Sequence, residues 1–261
     1  MCFKRRDMIR VNFIILIISF FYLHPARANE SQACDENVIS AVAGWAKLKG
    51  EAHPVVSGAC KAMPGKADTI IAAIAFDENG MPAEEGGVKI EVIALLKNGG
   101  VLAATRKEIT EDSSTSVGQS SYTIDTAPYR ISPDVRAFGV IFDSASRGPS
   151  CPEYFAGREL TLWVKEGDKL RPVFGTNLYG WINLDNNWCN KKFESASFTI
   201  SVEKTTSHGF ADLLLTAHVA RVKDADGEYV ETNKRTVKKV FHYDGVSYGT
   251  DMFNEFWYPK L

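Results

Sequence analysis

The run VKIEVIALLKNGGVLAATRKEI, residues 88–109, sets the tightest limit on the fold. Two β-type stretches flank Lys97-Asn98-Gly99-Gly100. Asn and Gly reach the left-handed backbone geometry that closes a tight hairpin whose twist matches its strands. The same grammar recurs along the chain. DTIIAAIAFDENG (68–80) ends in a turn, and SSYTIDT (120–126) and VRAFGVIFDS (135–144) read as short strands. ELTLWVKEGDKLRPVFG (159–175) is a second hairpin with Glu166-Gly167-Asp168-Lys169 at its tip. SASFTISVEKT (195–205), ADLLLTAHVARVKDADGEYV (211–230) and TVKKVFHYDGVSYG (236–249) follow, the last read as a strand, a Tyr-Asp-Gly turn and a short returning strand. About a dozen strands with turn signals at this spacing predict a mainly β protein, an antiparallel sandwich or barrel-like fold or two packed β units.

One segment breaks the pattern. CDENVISAVAGWAKLKGE (34–51) places Val38, Ile39, Val42, Trp45, Ala46 and Leu48 at helical spacing, with Asp35 as the cap and Gly50 as the stop. It is the one substantial helix expected, at the N-terminal end of the β structure.

Residues 1–28 read as a signal peptide. MCFKRRDMIR is basic, VNFIILIISFFYL (11–23) is apolar, and Ala26 and Ala28 form an A-x-A site. Thirteen apolar residues fall short of the roughly 20 that a membrane helix needs, so no stable membrane insertion is expected after cleavage. The segment holds five of the 30 Lys and Arg and one of the 32 Asp and Glu, which leaves 25 basic and 31 acidic side chains and a net charge of −6 on 29–261. Such a surface supplies no electrostatic attraction for nucleic acid or an anionic membrane. A periplasmic or secreted location follows as the expectation.

Cysteine usage agrees with export. Cys2 leaves with the signal, and Cys34, Cys60, Cys151 and Cys189 remain. Four cysteines in an exported chain read as two disulfides with three possible pairings. Proximity favours Cys34–Cys60 and Cys151–Cys189. The domain reading is 1–28 signal peptide, 29–150 helix plus first β unit, and 151–261 second β unit, or one continuous domain from 29 onward. Any seam lies in DSASRGPSCPEYFAGRE (143–159), rich in Ser, Gly and Pro.

APYRISPDVRAFGVIF, SHGFADLLLTAHV and VFHYDGVSY resemble, in that order, segments of uncharacterised exported β-rich proteins of Gram-negative bacteria. The resemblance covers the C-terminal half and implies export and β structure, without chemistry. GFADLLLT followed by F-x-Y-D-G-x-x-Y also resembles the blade endings of repeat β-propellers, although the repeated Asp/Gly calcium loops are missing.

The chain carries no H-E-x-x-H or P-loop. His208 and Asp212 could join a serine, and His218 and His242 lie on expected strands beside Asp212 or Asp244. No serine, however, sits at a strained turn backed by oxyanion donors. The acidic run DADGE (224–228) is too short for a calcium loop and reads as a hairpin tip. No catalytic residue, metal or cofactor is expected.

The densest candidate for binding is GTNLYGWINLDNNWCNKK (175–192). Asn177, Tyr179, Trp181, Asn187 and Trp188 are the expected partner-binding residues, with Asn183 and Asn186 beside them. Trp and Tyr anchor protein interfaces, and aromatic rings beside amides also suit sugars. The competing reading places Trp181 and Ile182 in the core and leaves an Asn-rich turn held by Cys189. The tail offers Met252, Phe253, Phe256, Trp257 and Tyr258, expected to dock on the fold. Together these features point to a non-enzymatic protein-binding module, such as an inhibitor or immunity protein that occludes a toxic envelope-acting enzyme. A carbohydrate-binding protein stands second and an unrecognised hydrolase third.

Overall fold

Hairpin chemistry organises the observed architecture. The computed structural model describes residues 33–48, 53–82, 85–184, 192–225 and 228–259. Asn98 and Gly99 both take positive φ, 50° and 79°, and turn β3 (Val88–Lys97) into β4 (Gly100–Thr110) as the Asn-Gly signal requires. Gly65 at φ 78° joins β1 (Val55–Met63) to β2 (Lys66–Asp77). These four strands form an antiparallel meander.

The remaining strands are β5 (Tyr122–Asp125), β6 (Phe138–Phe142), β7 (Tyr154–Glu166), β8 (Lys169–Asn183), β9 (Lys192–Ser207), β10 (Phe210–Ala225), β11 (Glu228–Phe241) and the two-residue β12 (Thr250–Asp251). All twelve belong to one mostly antiparallel sheet, ordered β1-β2-β3-β4-β8-β7-β6-β5, with β9, β10, β11 and β12 branching from β8. Pairing of β6 with β7 spans the 150/151 position, and residues Ser31–Leu261 form one compact unit.

The branch is made by one edge of β8. Lys169 pairs with Ala104 of β4, Gly175 and Thr176 pair in parallel with β12, and Tyr179–Asn183 pair with β9. Fifteen residues of continuous strand thus serve three neighbours on one side while β7 covers the other.

Three apolar clusters result. Ile71, Ala73, Ile93, Tyr122, Val140 and Trp163 fill the inside of the curved first layer. Ile74, Phe76, Ile90, Val92 and Leu96 point the opposite way, under the helix α1 (Glu36–Trp45). Both faces of β3 are therefore covered, which is why its sequence is a near-continuous apolar run rather than an alternation. The third cluster joins Leu160, Leu162 and Phe174 to Leu213, Leu215, Phe241 and Trp257.

Asp35 caps α1, its carboxylate accepting from the Val38 amide at 2.9 Å. The helix closes earlier than its sequence suggests, because Lys47 takes a left-handed φ of 60°. Val38, Val42 and Ala46 are buried beneath it, whereas Trp45 turns out to solvent. Arg106 of β4 donates to the Ala46 carbonyl at 3.1 Å and satisfies the helix end. Cys34 and Cys60 are disulfide-bonded with Cα atoms 4.9 Å apart, fastening the helix start to β1. Cys151 is also disulfide-bonded, and Cys189 lies outside the described residues.

The expected returning strand after Tyr243-Asp244-Gly245 does not pair with β11. Asp244 accepts from the Val246 and Ser247 amides in a tight turn, and the chain then crosses to β8, where the Tyr248 amide donates to the Val173 carbonyl at 2.7 Å. An open edge on β8 was available there, and the short segment filled it.

Candidate functional site: an aromatic face across β7 to β11

Strand periodicity places Tyr179 and Trp181 on one face of β8. Directly opposite lie Gly157 and Phe155 of β7 on one side, and Ser197 and Ser195 of β9 on the other. Phe193, two residues from Ser195, continues the row, and Tyr229 of β11 completes it. Ring centroids step across the sheet: Phe155 to Trp181 at 6.4 Å, Trp181 to Phe193 at 5.9 Å, and Phe193 to Tyr229 at 5.8 Å. Tyr179 leans on Phe155 at 6.2 Å. Phe155 and Tyr229 are 46% and 66% exposed, so the two ends of this row face solvent.

Beside the ridge runs a shallow hollow of about 380 Å³, lined by Tyr179, Ser195, Ser197, His218, Lys234 and Thr236. Burial raises the Tyr179 phenol above its ordinary pKa, so the ring presents a neutral hydroxyl.

The five sequence-derived partner residues divide three ways. Tyr179 and Trp181 lie on the ridge, and Trp181 is half-buried by its aromatic neighbours rather than sunk in the core. Asn177 is not available to a partner. It is 3% exposed, and its carbonyl accepts from the Asn254 side chain at 3.3 Å. The tail crosses β8 at this point and covers it. Asn187 and Trp188, with Asn186, lie outside the described residues. Phe155, Phe193 and Tyr229 escaped notice in the sequence because they sit on three other strands; only pairing register brings them together.

The histidines are dispersed. Ser207 Oγ and Asp212 Oδ1 face the same His242 nitrogen, Nδ1, at 3.4 and 3.1 Å. The serine and the acid thus sit on the same ring nitrogen, not on opposite nitrogens as in a Ser-His-Asp relay. His218 Nε2 lies 3.3 Å from the Thr199 hydroxyl, and His208 Nδ1 lies 2.9 Å from the Tyr243 carbonyl. Among the described residues, no group of three or more His, Cys, Asp or Glu is placed to hold a metal ion. Asp226 and Gly227 of the acidic run lie outside the described residues. As expected of the tail, Trp257 docks in the core; Phe253 is left 60% exposed against Tyr154 at 6.4 Å.

Fold and face together define a branched, mostly antiparallel β protein with an exposed aromatic ridge. No family model, curated protein or solved structure matches the chain.

Proposed function

We propose that this protein is an exported, non-enzymatic binding module that docks on a protein partner in the cell envelope and blocks it by occlusion, as an inhibitor or immunity protein would. The observation that carries the reading is the exposed ridge Phe155–Trp181–Phe193–Tyr229 on a rigid sheet. Large rings held by cross-strand packing lose little conformational freedom on binding, which favours tight protein contacts. The basic, apolar and A-x-A order of residues 1–28 and the Cys34–Cys60 bridge support export.

Ring geometry weighs against the glycan alternative. Phe155 and Trp181 are nearly parallel at 19°, but Phe155 and Tyr179 are inclined at 54°, Trp181 and Phe193 at 57°, and Phe193 and Tyr229 at 72°. Successive sugar rings stack best on coplanar platforms; inclined rings make a ridge that inserts into a cleft. The test is capture from the envelope and secreted fractions by immobilised residues 29–261, beside a Trp181→Ala variant. The expected result is one stoichiometric enzyme held by the wild type, inhibited by it and released by the variant. Retention on envelope glycan that disappears in Trp181→Ala would overturn the reading.

A further inference from the structure

The face that carries the ridge continues along β7 into a second feature. Glu159, Thr161 and Trp163 follow Phe155 and Gly157 at every second residue, and they line a cavity of about 170 Å³ with Glu91, Lys107 and Phe142. Cavities of about 150 Å³ hold a benzene-sized molecule, so the space suits four to eight heavy atoms. Its walls are apolar through Ile93, Val140 and Met252, and its charged groups are Glu91, Lys107 and Glu159.

Those charges are unequally satisfied. The buried Glu91 carboxylate accepts from the Tyr122 hydroxyl at 2.9 Å and pairs with Lys107 at 3.0 Å. Glu159 reaches the surface at the rim and, among the described residues, forms no salt bridge. Surrounding protein raises its pKa above the ordinary value; Lys107 opposes this, while Asp143 and Glu91 add to it. Two carboxyl groups, Glu91 and Glu159, thus line the cavity with one ammonium, Lys107. A second, independent feature is the indole N–H of Trp163, more than nine-tenths buried and without a hydrogen-bond partner in the protein. A buried donor left open is costly and calls for an acceptor.

We propose that this cavity binds a small protonated amine bearing an oxygen acceptor, the chemistry of an amino alcohol such as ethanolamine. The ammonium answers the excess carboxylate at Glu159 and packs against the Trp163 and Phe142 rings. The oxygen accepts from the Trp163 N–H, with the Thr115 and Thr161 hydroxyls in reach of the same cavity. The amine is either free or the headgroup of a lipid. This site uses none of the ridge residues and stands or falls independently of the partner reading.

The test is NMR titration of the full mature chain with ethanolamine, ethylamine, ethylene glycol and propionate, and sedimentation with vesicles of phosphatidylethanolamine or phosphatidylcholine. Ethanolamine is expected to bind several-fold more tightly than ethylamine, with glycol and propionate inert. Glu159→Gln, a rim substitution, should weaken ethanolamine about tenfold. Trp163→Phe should erase the preference for ethanolamine over ethylamine while keeping the aromatic wall. Binding of soluble ethanolamine assigns a free amine; sedimentation with phosphatidylethanolamine alone assigns a headgroup. Equal response to all four solutes, or no response to any solute or vesicle, would overturn the proposal.

Discussion

Glu194 of β9 and Arg235 of β11 meet at 2.7 Å across the intervening strand β10, and the same guanidinium nitrogen donates to the Trp257 carbonyl at 2.8 Å. Arg221 of β10 adds a second bond to Glu194 at 3.0 Å. One buried carboxylate therefore ties three strands and the C-terminal tail. Removing the carboxylate leaves two guanidiniums that are each about one-third exposed, so the cost falls below that of a fully buried pair, at about 1–3 kcal/mol. Glu194→Ala is expected to lower the unfolding free energy from urea titration by that amount and to expose the tail to protease, while Lys234→Ala, in an exposed pair with Glu231, should leave both unchanged.

The pH dependence of this clamp has a definite sign. Burial pushes the Glu194 pKa up, but Arg235 and Arg221 outweigh it and hold the group below its ordinary value. A depressed folded-state pKa contributes stability that is fully present above the unfolded value, about 4.3. That contribution is lost as pH falls from there through the folded pKa. Thermal melts from pH 6 down to pH 3 should show a shallower acid decline in Glu194→Gln than in wild type; identical slopes would refute the assignment.

The helix depends on its bridge. Among the described residues of α1 itself, only Val38 and Val42 are buried, too little apolar area to hold ten residues in place. Cys34–Cys60 closes a separation of 26 residues, worth about 3 kcal/mol in the chain-entropy picture. Replacing Cys34 and Cys60 together by Ser should speed amide exchange throughout α1, while β2 and β3 keep their protection.

Two tryptophans on neighbouring surfaces should behave oppositely. Trp257 is 2% exposed within the third cluster, against Phe198 at 6.2 Å. Trp257→Ala is expected to cost about 3–5 kcal/mol, as large core truncations do. Trp181, half-buried on the ridge, should cost less on truncation, about 1–2 kcal/mol. Paired melts by circular dichroism would decide it, and a large loss in Trp181→Ala would mean that the ridge is a core element.

Alternation and turn chemistry are local, so the strands and hairpins were legible, as was the helix with its Asp35 cap. The branch at β8 was not, because residues 169–183 carry no mark of which neighbour pairs with which third of the strand. The tail misled for the same reason: Val246–Gly249 has the composition of a returning strand, and only the free edge beside Val173 and Gly175 explains its course. In the candidate site, Tyr179 and Trp181 could be read from one segment by their spacing of two. Asn177 shares their face, and what removes it is the tail folding over it from 77 residues away, which no local pattern encodes.

Gly175 shows how closely that tail is fitted. A β-carbon there would lie 3.0 Å from Thr250 Cγ2, 3.1 Å from Met252 Cε and 3.2 Å from Thr250 Oγ1. Its φ is ordinary; what matters is the close approach of β12 to β8. Gly175→Val should overpack this contact and cost about 1–3 kcal/mol, with the strain falling on a two-residue strand that cannot resist it. The tail should detach first, seen as faster proteolysis near residue 250 before any loss of global structure. Thr250→Ala removes two of the three crowding atoms and leaves Met252 Cε, so in the Gly175→Val background it should restore part of the loss although it gains nothing alone. A double-mutant cycle with coupling near zero would show that the two residues do not compete for the same space.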